Sequence, residues 1–117
     1  RAIRFTTEAP DNYVAPLEVV EGWNPSGFAL SPAYPNPFNP LTTMDLTVPF
    51  SEFVKITVID ILGREVAQLQ KGVMVPGYYK ISWNGQTRSG KSVASGTYFV
   101  VMTYAEKSKI QKLLLLK

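Results

Sequence analysis

The sequence predicts an all-β fold, an antiparallel sandwich of about seven strands. Three observations carry this reading. Nine prolines and eight glycines punctuate the 117 residues and leave runs of about 5–10 residues rich in Val, Ile, Thr, Tyr and Phe. Several of those runs alternate apolar and polar residues, the period of a strand with one buried face. No stretch shows the periodicity of an amphipathic helix, and no internal repeat is present.

Taken in order, Ala2 to Thr7 is the first strand candidate, followed by an irregular stretch from Glu8 to Pro32 with Leu17 to Val20 as a short strand inside it. Tyr34 to Pro40 reads YPNPFNP. Pro35, Pro37 and Pro40 fix their own φ and push the residue before each into extended or turn geometry, so this is a stiff, non-helical connector expected to order against the sandwich. Met44, Leu46, Val48 and Phe50 alternate with Thr43, Asp45 and Thr47, which places the four apolar residues on one buried face. Val54, Ile56 and Val58 repeat the pattern around Lys55 and Thr57. Asp60 to Gly63 reads as a turn, Arg64 to Gln70 as a strand, and Val75-Pro76-Gly77 as the next turn. Tyr79, Ile81 and Trp83 then face inward, and Asn84-Gly85 is a turn signal. Thr97 to Ala105 is apolar on both faces and reads as a central strand, and Lys109 to Leu116 is the last. Seven or so short strands with regular turns predict an immunoglobulin-like sandwich. Its expected core is Met44, Leu46, Val48, Ile56, Val58, Ile81, Trp83, Tyr98 and Val100.

Composition narrows the chemistry. The chain has no Cys and no His, which removes thiol nucleophiles, Ser-His and Cys-His dyads and Cys/His zinc sites. The longest aliphatic run is Leu113 to Leu116, far short of the roughly 20 residues that span a bilayer. Arg1 is followed at once by polar and strand-like residues, so any leader or upstream domain is expected to be already absent. The net charge of +3 is unevenly spread: residues 1–53 hold two Arg against six acids, and residues 54–117 ten Lys/Arg against three. The lysines at the end, Lys107, Lys109, Lys112 and Lys117, alternate with apolar residues, as on the solvent face or guarded edge of a strand rather than in a nucleic-acid arm. No nucleic-acid partner is expected.

One motif match is refused. Gly85 to Ser92 fits the phosphate-loop pattern G-x-x-x-x-G-K-[ST]. The mechanism needs a helix after the loop, whose N-terminal amides hold the phosphates. Val93-Ala94-Ser95-Gly96-Thr97-Tyr98-Phe99 is strand-like instead, so a Gly-rich loop between antiparallel strands, binding no nucleotide, is expected. Asp45 and Asp60 are isolated acids with no facing carboxyl for glycoside hydrolysis. Asn84, Gln86 and Asp60 offer oxygen atoms but too few carboxylates for a calcium site. The expectation is a chain without catalytic residues, metal or cofactor. Trp23, Phe28, Tyr34 and Phe38 are expected to pack over the sandwich rather than stack on sugars.

These residues together carry a family resemblance over residues 28–117. Phe28-Ala29-Leu30 followed by Pro35, Asn36, Pro37, Phe38, Asn39 and Pro40 resembles the opening of a C-terminal sorting domain of the bacterial type IX secretion system. Leu62-Gly63-Arg64-Glu65-Val66 is similar to that family's G-R-x-V turn. Gly77, Trp83, Gly85, Gly90, Val93, Ser95, Gly96, Tyr98 and Phe99 fall on its glycine and aromatic framework. The sandwich also resembles the immunoglobulin-like part of flagellar hook-capping proteins; the PNPFNP segment and the LLLLK end favour the sorting domain. Ala33 departs from the Asn usual before Tyr, and Asn84 and Gln86 from acids common at the Trp-Gly turn.

The resemblance implies a secreted or cell-surface module that reaches its destination through the periplasm and directs an attached cargo domain across the outer membrane, doing no chemistry itself. It implies recognition by an outer-membrane translocon through Lys109, Ile110, Lys112, Leu113, Leu114, Leu115, Leu116 and Lys117, and processing by a sortase-like protease. Residues 1–27 lie outside the match and read as a linker, the tail of an upstream domain or a docking strand. Two rival classes stand beside this: a fibre subunit that self-associates by strand exchange, and a carbohydrate-binding module of a secreted hydrolase.

Overall fold

The computed structural model describes residues 27–117 and, before them, the backbone of Ala2–Ile3 and Val14–Val20. The strands are β1 (Ala2–Ile3), β2 (Val14–Val20), β3 (Ala29–Leu30), β4 (Thr42–Val48), β5 (Glu52–Asp60), β6 (Glu65–Met74), β7 (Gly77–Trp83), β8 (Gly96–Tyr104) and β9 (Lys107–Leu115). Among the described residues seven strands run seven residues or more, β1 and β3 are two-residue pieces, and there is no helix. One sheet has the order β1-β2-β7-β4-β3 and the other β6-β5-β8-β9, every strand pair antiparallel.

The period-two pattern of the sequence becomes the inner faces. Thr42, Met44, Leu46 and Val48 of β4 are all fully buried, and in register with β7 they set Met44 beside Ile81 and Leu46 beside Tyr79. The facing sheet supplies Val54, Ile56 and Val58 of β5, Tyr98, Val100 and Met102 of β8, and Leu113 and Leu115 of β9. All nine residues expected in the core are buried. Two tyrosines anchor the ends of this core. The Tyr98 hydroxyl donates to the Ala94 carbonyl at 2.6 Å and the Tyr79 hydroxyl to that of Val75 at 2.7 Å, each four residues upstream. The first has the form of the tyrosine corner of immunoglobulin sandwiches. Burial pushes both phenols above their usual pKa.

Some expectations are corrected. Phe50 is not a core residue: β4 ends at Val48, Pro49 follows, and Phe50 is 55% exposed with its ring edge against Phe28, centroids 5.2 Å apart. β6 runs on from the expected Gln70 to Met74, with two register shifts against β5. Inside the stretch read as irregular, β2 pairs with β7 from Val14↔Ile81 to Glu18↔Tyr78. The strand expected at Ala2 to Thr7 is described only at Ala2–Ile3, and Trp23 lies outside the described residues. The loop from Asn84 to Ser95 does not join hairpin neighbours; it crosses from β7 in one sheet to β8 in the other.

Candidate functional site: the last strand and its proline-rich cover

The pleat of β9 sorts the terminal leucines. Leu113 and Leu115 are fully buried in the core, while Ile110 and Leu116 are 58% and 51% exposed and Leu114 is half-buried on the outer face. Lys109, Lys112 and Lys117 are exposed. On that outer face Ile110 lies across from Val101, Lys112 from Phe99 and Leu114 from Thr97. β8 is central in its sheet, as expected, but its outer side chains Thr97, Phe99 and Val101 are half-buried rather than covered.

β9 is also a sheet edge, and the YPNPFNP segment covers its C-terminal half. The Asn36 side chain acts as a peptide group: Nδ2 donates to the Lys112 carbonyl at 3.0 Å and Oδ1 accepts the Leu114 amide at 2.9 Å. Phe38 continues the ladder with its backbone. Its amide donates to the Leu114 carbonyl at 3.0 Å and its carbonyl accepts the Leu116 amide at 3.1 Å, a parallel bridge opposite Leu115. Three outward backbone groups of β9 and the Leu116 amide just after it are thereby satisfied without another strand.

The same segment is tied to the other sheet. Tyr34 exchanges two backbone hydrogen bonds with Thr43 of β4, and the Thr42 hydroxyl donates to the Pro35 carbonyl at 2.8 Å. Lys80 of β7 donates to the Tyr34 hydroxyl at 2.6 Å and to Asp45 at 3.3 Å. The Tyr34 contact, ahead of the one with Asp45, holds the ammonium above the usual lysine pKa. The peptide bonds before Pro35, Pro37 and Pro40 are cis. Asn39 and Pro40 are exposed, whereas Phe38 is buried to 2%. Its ring lies 5.7 Å from that of Trp83, and Tyr98 meets Trp83 edge-on at 5.3 Å. Trp83 itself is fully buried and donates Nε1–H to the Gln86 carbonyl at 2.9 Å, which makes it the core anchor expected of it.

Glycines fit the strand ends around this assembly. Gly85, at φ +72°, faces Leu115 and the Pro40 carbonyl, both 3.5 Å from where a Cβ would stand. Gly96 opens β8 opposite Leu115. Gly90 lies in the loop with the phosphate-loop pattern, which closes on itself. Thr87 N–H bonds Lys91 O at 2.7 Å, Gly90 N–H bonds Thr87 O at 2.9 Å, Gln86 bridges Ser92, and β8 follows rather than a helix. The Thr87 and Gly90 amides are thus turned to carbonyls of the loop itself, and no helix N-terminus follows to hold a phosphate.

Gly63 belongs to the turn between β5 and β6. Its φ of +81° lets the chain reverse while Asp60 Oδ1 accepts the amides of Leu62 and Arg64 and Oδ2 accepts Nε–H of Arg64 at 2.9 Å. The Arg64 amide above all, then its guanidinium and the Leu62 amide, hold the Asp60 carboxyl below its usual value against a raising effect of desolvation. Asp60 is thus a turn staple, while Asn84 and Gln86 meet each other, Nδ2 of the first donating to Oε1 of the second at 3.3 Å. No group of three acids is placed to hold a metal ion among the described residues.

Sequence reasoning missed an aromatic group beside β9. Phe28 stacks on Tyr104 with centroids 4.2 Å apart, and with Phe50, Lys107 and Lys109 they line a groove of about 360 Å³. The aromatic residues were visible in the sequence, but their convergence from the residue before β3, the β4–β5 link and the end of β8 was not.

Comparison with known proteins places this geometry. The chain resembles PorZ, an essential bacterial surface component of the type-IX secretion system of Porphyromonas gingivalis. The two are 25% identical with a TM-score of 0.53, over 78% of this chain and 12% of that one. Dimeric latent PorU from Porphyromonas gingivalis is 19% identical with a TM-score of 0.57, over 84% of this chain and 10% of that one, a likeness of fold alone. The chain therefore spans about a tenth of the length of either. None of the curated proteins matches it. The profile of the FlgD Ig-like domain matches residues 41–108, from the cover's last bond to the β8–β9 turn and the first residues of β9, and by that match over more than half its length the chain belongs to the FlgD Ig-like domain family.

Proposed function

We propose that this chain is a non-catalytic sorting module that directs an attached cargo across the outer membrane by the type IX secretion system, to the cell surface or the medium. The observation that carries the reading is the division of labour in β9. Leu113 and Leu115 complete the core, whereas Ile110, Leu114 and Leu116 face outward beside exposed lysines. One strand thus makes its display conditional on correct folding. The likeness to PorZ, a surface component of that system, supports the same reading. In it, an outer-membrane translocon reads the outer face of β9, and a sortase-like protease releases the cargo.

The test is a reporter fused to residues 28–117 in a type IX-competent host, beside a variant carrying Ile110→Ser, Leu114→Ser and Leu116→Ser. Deleting residues 112–117 is a poorer test, because it takes two fully buried leucines out of the core. The intact fusion is expected at the cell surface and the triple variant, still folded, in the periplasm. Export of the variant as efficient as that of the parent would remove β9 as the address. A folded intact fusion that never leaves the periplasm would sink the sorting reading.

A further inference from the structure

The cover on β9 stops halfway. Alternation along an antiparallel strand turns the N–H and C=O of every second residue to the free side. Leu114, whose two backbone groups meet Asn36 and Phe38, identifies the outward set as the even-numbered residues. Ser108 and Ile110 belong to it, and their outward groups have no partner among the described residues. Among the described residues this edge is unpaired from Lys107 to the Lys112 amide, about five residues or ~17 Å of template, with the Gln111 side chain alone reaching across to donate to the Leu30 carbonyl at 2.9 Å.

Two further features adjoin this edge. Lys107, Lys109 and Lys112 are all exposed, and none has an ion-pair partner among the described residues. The groove of Phe28, Phe50 and Tyr104 opens beside Lys107 and Lys109. A second copy of the chain is a poor occupant. Pairing two such edges would bring together two basic strands, each with Lys107, Lys109 and Lys112 and no acid between them, and like charges held close repel.

We propose that this half of β9 is a strand-addition site for an extended acidic segment of another protein, with an aromatic or aliphatic anchor in the Phe28–Phe50–Tyr104 groove. Backbone hydrogen bonds to Ser108 and Ile110 supply the register, carboxylates meet the lysines, and the groove selects the anchor. The Asn36–Phe38 cover limits the added strand to residues before Leu114. The site stands apart from the sorting reading, which uses the outer face of the strand and not its edge.

The test uses the full chain and two short capped peptides, one with glutamates and a phenylalanine at every second position, on one face of the strand, and threonine between them, the other with lysine in place of glutamate. The glutamate peptide should bind roughly tenfold more tightly than its lysine counterpart, with the preference shrinking as salt rises. It should protect the Ser108 and Ile110 amides from exchange and shift the Phe28 and Tyr104 ring signals. Ile110→Pro removes one outward amide at an edge that tolerates proline, so the variant should fold, keep its near-ultraviolet Trp83 signal and lose binding. Lys107→Glu with Lys109→Glu should invert the preference. The proposal is overturned if neither peptide binds, if both bind alike, or if the protected amides lie on the β6 edge. It is also overturned if Ser108 and Ile110 become protected with protein concentration alone, which would make a second copy the occupant.

Discussion

At the scale of the residue, two positions show how a local choice sets stability. Asp60 accepts two amides and the Arg64 guanidinium, and its carboxyl titrates below the usual value of 3.8. The unfolded chain therefore takes up this proton first. The contribution of Asp60 is present above the unfolded value and is lost as pH falls through the folded one. Asp60→Asn keeps an acceptor for the two amides and removes the titration. Its acid unfolding curve should show less loss of stability below pH ~4 than the parent's, read by circular dichroism. The second position is the β8–β9 turn, where Ala105 and Glu106 have φ of +45° and +62°. Left-handed geometry at two successive residues favours Asn-Gly and disfavours side chains such as these. Ala105→Asn with Glu106→Gly should raise the unfolding free energy by about 1–2 kcal/mol in a denaturant titration with unchanged slope.

At the scale of the element, the cover on β9 behaves as a clip made from side chain and backbone together. Asn36→Ala deletes one donor and one acceptor and frees the Lys112 carbonyl and Leu114 amide. The groups are exposed to water, so the cost should be modest, about 0.5–1.5 kcal/mol. Hydrogen exchange at Leu114 should rise much more than at Val100, which lies inside the sheet. Strands such as β4, β5 and β7 were legible because Met44, Ile56 and Ile81 sit in strict alternation with polar neighbours. β9 was legible as a strand but not in its burial, because apolar residues on both faces leave the choice to the partner sheet. Only the second half of β2 was legible, as the short strand Leu17 to Val20; its start at Val14 was hidden, since the residues around Pro16 lack a clean alternation. The clip itself was beyond sequence reading. Asn36 and Leu114 are 78 positions apart, and their bond depends on a chain path that no local pattern encodes.

At the scale of the whole molecule, the described core runs from Leu30 to Leu115, all of it within residues 28–117. Residues 28–117 alone should therefore fold, with the near-ultraviolet signal of buried Trp83 intact. Losing β2 bares the edge of β7 from Tyr78 to Ile81. The fragment should melt several degrees lower and associate at concentrations where the full chain does not, as read by size-exclusion chromatography. A fragment that failed to fold would make the first 27 residues an integral part of the sandwich. The charge asymmetry seen in the sequence has its structural counterpart here too, since the exposed lysines of β9 gather along one sheet edge rather than scattering over the surface.

The placement of Leu113 and Leu115 has a consequence for how the chain is made. They belong to the last of the nine described strands in chain order, yet they are fully buried, Leu113 opposite Tyr98 and Leu115 against Gly85. A nascent chain halted before them leaves that end of the interior uncovered and the β8 edge open. The interior can seal only once β9 has been made. A chain truncated before Leu113 exposes apolar surface and an unpaired β8 edge, the features that chaperones and proteases recognise, whereas a chain that includes β9 hides them.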